Sequence, residues 1–104
     1  MKYVKVASVS DVPSDEALQV EVDGEKVALV NCEGTVCAIS DICTHEHAFL
    51  SEGFVEGNTI ECPLHGSVFD LRTGVVQSLP ATDDAKTYDV KVEGDDVLLG
   101  VDDG

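Results

Sequence analysis

Short runs of alternating apolar and polar residues, separated by acidic and glycine pairs, make up most of the chain. Leu18, Val20 and Val22 share one face of a strand over 18–22, and residues 3–7 alternate in the same way. Asp23-Gly24 turns the chain into a strand over 26–31, and Glu33-Gly34 turns it again into one over 35–39. These read as consecutive hairpins. Short strands over 58–61 and 67–70 lie just before Cys62 and just after His65. Residues 87–92, a Gly94-Asp95-Asp96 turn and residues 97–101 make a closing hairpin. Only residues 14–18 offer a helical turn, and no stretch holds a 3.6-residue period. The pattern predicts a small all-β sandwich or barrel. Residues 41–65 form a loop-rich insertion on it.

At 104 residues the chain has room for one domain, 1–104, with a modest core. Six basic residues against twenty-one acidic ones give a formal charge of −15. Nucleic acid and anionic membranes repel such a surface, whereas a basic protein face complements it. The longest apolar run, Val27-Ala28-Leu29-Val30, is far short of the roughly 20 residues that span a bilayer. No basic segment followed by an apolar one opens the chain, so the expected location is the cytoplasm.

The cysteines and histidines carry the chemistry. Cys43-Thr44-His45 and Cys62-Pro63-Leu64-His65 each pair a thiol with an imidazole, and sixteen residues separate His45 from Cys62. Zinc accepts two of each, but structural knuckles space paired ligands by two to four residues, and the single Thr44 fits poorly. A plant-type [2Fe–2S] site wants C-x₄-C-x₂-C; Cys32 and Cys37 begin it, yet position 40 is Ser40. The third reading is a [2Fe–2S] cluster with two cysteines on one iron and two histidines on the other. Cys32 and Cys37 border a hairpin turn and read as strand residues, Cys37 as a small hydrophobe. His47 reads as a solvated loop residue. Asp70, Arg72 and Gly74 read as turn chemistry with a local ion pair.

The C-x-H-x₁₆-C-x-x-H pattern, extended by Gly66-Ser67 and followed by Phe69-Asp70, resembles a Rieske protein over nearly the whole chain. The resemblance implies a Rieske-type β-sandwich with a loop-rich cluster-binding part near residues 41–66. It implies that Cys43 and Cys62 hold the inner iron and that His45 and His65 hold the outer, more exposed one. Pro80 would belong to a third loop covering the cluster. Two ferric ions, two sulfides and two thiolates sum to zero, so an added electron meets less repulsion than at a four-thiolate centre. Rieske potentials accordingly span roughly −150 to +300 mV. High-potential members carry a further cysteine beside each ligand pair and a tyrosine after the serine. Here those positions hold Ala48, Leu64 and Phe69, which implies the low end of the range, lifted slightly if Ser67 donates to a sulfide.

After His45 and His65 are spent, one histidine remains, too few for an oxygen-activating mononuclear iron. No G-x-G-x-x-G segment serves a dinucleotide. The expected role is therefore one-electron transfer without substrate chemistry. The resemblance is to the ferredoxin of aromatic-ring dioxygenase systems, between an NAD(P)H-dependent flavoprotein reductase and a terminal oxygenase. The small subunit of a nitrite reductase, a ferredoxin-like protein linked to iron–sulfur assembly and, in another class, a zinc-stabilised binding module are the alternatives. From Val27 to Leu71 there is no Lys or Arg, against Glu33, Asp41, Glu46, Glu52, Glu56, Glu61 and Asp70. An acidic face around His45 and His65, rimmed by Phe49, Pro63, Leu64 and Pro80, is the expected docking surface.

Overall fold

The computed structural model describes residues 2–42, 48–64, 66–78 and 83–101. Its strands, in chain order, are β1 (Lys2–Ser8), β2 (Leu18–Val22), β3 (Glu25–Cys32), β4 (Thr35–Ser40) and β5 (Phe54–Glu56). They continue with β6 (Thr59–Glu61), β7 (Val68–Asp70), β8 (Thr87–Tyr88), β9 (Val90–Glu93) and β10 (Asp96–Val101). Three antiparallel sheets result, in the orders β1-β10-β9, β2-β3-β4-β8 and β5-β6-β7. Both expected hairpins of the central sheet are present. Their two-residue turns place Asp23, Gly24, Glu33 and Gly34 at positive φ, the twist that matches the flanking strands. Asn31 Oδ1 accepts the Gly34 N–H at 2.8 Å and fixes the second turn. The registers Val22↔Glu25 and Cys32↔Thr35 follow.

The central sheet is buried on both faces. Val27 and Leu29 of β3, with Val36 and Ala38 of β4, pack against Val97, Leu99 and Val101 of β10. Their alternates Ala28, Val30, Cys32, Cys37 and Ile39 pack the other way, against Leu50, Ile60, Cys62, Phe69 and Leu71. The unbroken Val27-Ala28-Leu29-Val30 run is thus a strand between two cores, all four residues with no exposed surface. Tyr88 Oη donates to Glu25 Oε1 at 2.8 Å and Lys86 Nζ to the same oxygen at 3.3 Å, fastening β8 beside the start of β3. The Tyr88 hydroxyl and then the Lys86 ammonium hold the Glu25 carboxyl below its ordinary value.

Three expectations are corrected. Residues 14–18 form no helical turn; short 3₁₀ turns occur instead at Val9–Asp11 and Leu50–Glu52. The strand over 87–92 breaks at Asp89, so that β8 pairs with β4 while β9 pairs with β10. Residues 41–65 are less loop-like than expected, because β5 and β6 form a hairpin that β7 extends into a third sheet. Among the described residues no helix is long and apolar enough to cross a membrane.

Candidate metal centre

The first expected ligand pair lies on the segment that leaves β4. Cys43 and His45, with Glu46 and His47, fall outside the described residues; the chain on either side of them is firmly tied. Ile42 bridges to Phe49, and Asp41 binds both strands of the loop's base. Its N–H donates to the Lys26 carbonyl at 3.0 Å, and its own carbonyl accepts the Leu50 N–H at 2.7 Å. Its side chain, with no exposed surface, accepts the Ser51 N–H at 2.6 Å, the Ser51 hydroxyl at 2.7 Å and the Gln19 amide at 2.5 Å. Asp41 is therefore no part of an acidic surface. It is a deep carboxylate satisfied by three donors, not one of the surface charges that the sequence places in this window.

The second pair lies on the turn between β6 and β7. The Cys62 N–H donates to the Ser67 carbonyl at 2.7 Å and the Gly66 N–H to the Cys62 carbonyl at 3.2 Å. Gly66 adopts φ 76°, which the tight reversal requires. Cys62 is 1 % exposed and Ser67 is fully buried, whereas Pro63 and Leu64 point outward. His65 lies outside the described residues. Gly53 sits directly beneath this turn: a Cβ there would overlap the Glu61 carbonyl oxygen and lie 3.1 Å from Pro63 Cδ. The third expected loop starts from the same place. Ser78 Oγ accepts the Val68 N–H at 3.1 Å and donates to the Gly66 carbonyl at 3.4 Å. Leu79, Pro80 and Ala81, which follow, are outside the described residues.

One core joins these segments. Leu50, at the base of the first loop, belongs with Cys62, Ile60 and Phe69 to a single buried cluster. The donor chemistry at the described ligand position suits an iron–sulfur centre, since Cys62 is kept as a thiol on a hydrogen-bonded turn at the margin of an apolar core. A soft sulfur ligand shielded from water is what such a cluster needs. Cys32 behaves differently. Burial, and then the neighbouring Cys37 thiol, push its pKa up to about 12, as suits a thiol packed within the core.

Residues 2–89 match the model of the Rieske [2Fe-2S] domain. The chain belongs to this family. The ferredoxin component of the naphthalene 1,2-dioxygenase/salicylate 5-hydroxylase systems of Ralstonia sp is 42% identical over 97 residues, 93% of either chain. The biphenyl dioxygenase ferredoxin subunit of Pseudomonas sp. (strain KKS102) is 45% identical over 100 residues, 95% of this chain and 92% of that one. Among solved structures, the complex of reduced oxygenase and oxidized ferredoxin in carbazole 1,9a-dioxygenase holds a chain of TM-score 0.87 and 34% identity, covering 93% of this chain and 91% of that one. Membership of the Rieske family implies a [2Fe–2S] cluster and disposes of the zinc alternative.

Supporting residues escaped the sequence reading. Gln19, Ser51 and Gly53 hold the bases of the expected ligand loops, and none of them stands out in the sequence. Asp41 directly precedes Ile42-Cys43, but one more acidic residue in so acidic a chain gives no signal. Glu52 and Glu56 are exposed, and Asp70 Oδ1 accepts the N–H groups of Arg72 and Thr73, the turn chemistry expected of it. The ion pair expected locally at Arg72 is instead made to Glu33 on the β3–β4 turn, at 4.0 Å.

Proposed function

We propose that this single-domain chain is the ferredoxin component of an aromatic-ring dioxygenase system, carrying one electron at a time from an NAD(P)H-dependent flavoprotein reductase to a terminal oxygenase. The observation that carries the reading is likeness over nearly the full length, at 34–45% identity, to ferredoxin components, one of them in complex with its oxygenase. The chain has no substrate chemistry of its own. Cys43 and Cys62 hold the inner iron and His45 and His65 the outer one. When bound, the cluster supplies a centre that accepts and releases a single electron. The chain's own residues set its surroundings: the apolar wall around Cys62 excludes water, and the Cys62–Ser67 turn fixes the second ligand pair.

Partners meet the end that carries the two ligand loops. Exposed Ile42 and Leu64 supply an apolar centre, half-buried Phe49 adjoins it, and Glu52 and Glu56 supply charge for a basic partner. Cys32 and Cys37, adjacent in the core and held as thiols, suit the reducing cytoplasm. The test is analysis of protein made with ample iron and sulfide. It is expected to bind two irons and two acid-labile sulfides per chain, to give a rhombic EPR signal on reduction, and to restore NAD(P)H-driven turnover to a reductase and oxygenase of this class. One zinc and no sulfide would overturn the cluster. A loaded cluster that neither partner reduces or oxidises would overturn the assignment to a dioxygenase system.

A further inference from the structure

Among the described residues Asp41 is the one ionisable side chain of acidic type with no exposed surface, in a chain of twenty-one acidic residues. Its partners are all donors. Oδ1 takes the Ser51 N–H, and Oδ2 takes both the Ser51 hydroxyl and the Gln19 amide, an arrangement that suits a charged carboxylate. No ion pair to it occurs among the described residues. The hydrogen bonds therefore hold its charge in place without cancelling it. Two residues along the chain is Cys43, so their Cα atoms are at most about 7 Å apart.

Two consequences combine at this position. The carboxylate and backbone of Asp41 tie β2, β3 and the Leu50–Ser51 turn into one clamp around the loop that begins at Cys43. Its negative charge also sits two residues before Cys43 in the chain, and the proposed cluster would become more negative on taking up an electron. We propose that Asp41 is a positioning residue for the first ligand loop and a buried charge that keeps the cluster's potential low. This rests on the ligand set proposed above. It adds a cause of low potential separate from missing donors to the sulfurs. Through an effective dielectric near 20, a unit charge at a separation on the order of 10 Å changes an electron's binding constant about tenfold.

The substitution Asp41→Asn separates the two roles. Asparagine has the same shape, and its amide nitrogen can donate to Ser51 Oγ and to a Gln19 side chain turned over to present its oxygen. Its own oxygen still accepts the Ser51 N–H. The clamp persists and the charge is gone. The experiment measures the midpoint potential and the EPR spectrum of the loaded protein, in dilute buffer and in about 1 M salt, where the screening length is only about 3 Å. Asp41→Asn is expected to keep the wild-type EPR signature and to raise the potential by about tenfold in the electron's equilibrium, which is about 59 mV for one electron. The rise should survive high salt, because the charge is buried, whereas any rise in Glu52→Gln should vanish there. An unchanged or lowered potential overturns the proposal. If Asp41→Asn fails to load, Ser51→Ala decides: it keeps the charge and removes a compensating donor, so a fall in potential supports the proposal and no change or a rise overturns it. A wild-type protein without iron and sulfide would instead overturn the ligand set itself.

Discussion

Two glycines show how differently one residue type can matter at this site. At Gly57, φ 58° is the whole requirement, since an added Cβ would meet nothing within 4 Å. At Gly53 the backbone is ordinary, φ −92°, yet a Cβ would run into the Glu61 carbonyl beneath the Cys62 turn. Gly53→Ala is therefore expected to displace the Cys62 turn, lowering stability by about 1–3 kcal/mol, and, with Cys62 a ligand as proposed, reducing the iron retained. Gly57→Ala should cost about 1–2 kcal/mol through its left-handed backbone alone and leave the cluster spectrum unchanged. Thermal denaturation and iron analysis of both variants check this; equal iron loss in the two would contradict it. The sequence does not distinguish these glycines, because close approach between distant segments leaves no local pattern. The ligand candidates were legible for the opposite reason. Metal chemistry restricts which residue types serve, and C-x-H with C-x-x-H is rare by chance.

The elements divide their labour between two cores. Leu99 lies in the one shared with β10, whereas Leu50 lies in the one that also contains Cys62. Truncating either to alanine is expected to cost about 2–5 kcal/mol. Leu50→Ala should also lose cluster, because Leu50 joins the base of the first loop to the wall of the second. Leu99→Ala should keep the wild-type absorption spectrum below its lowered melting temperature. Cys32→Ala and Cys37→Ala should do the same, as their thiols are packing groups. Cluster loss in Leu99→Ala matching that in Leu50→Ala would show that the two cores are not separable. The hairpins were readable because Asp-Gly and Glu-Gly turns announce them. β5 was not, although Gly57-Asn58 joins it to β6 by a two-residue turn, for three residues between glycines carry too little alternation. Nor could the break at Asp89 be read, since which sheet a strand joins is decided by partners far away in sequence.

Taken whole, the molecule carries a formal charge of −15, and the segments flanking the proposed ligand pairs include exposed Glu52, Glu56, Ile42 and Leu64. Long-range attraction with a small contact suits a carrier that must bind and leave quickly. Stopped-flow reduction by a basic partner is expected to slow as salt rises, and to lose part of that salt dependence in Glu52→Gln and Glu56→Gln. A rate indifferent to both would remove electrostatic steering while leaving the family assignment intact. The buried setting of Cys62 bears on a different quantity. Among the described residues, Ile60, Phe69 and Leu50, each with no exposed surface, share one packed cluster with Cys62. Close-packed, unhydrated surroundings hold atoms nearly where they were, so the nuclear rearrangement that accompanies each redox event stays small. With Cys62 as a ligand, as proposed, ordinary hydrophobic packing would thereby lower the reorganisation energy and let electron transfer proceed at modest driving force.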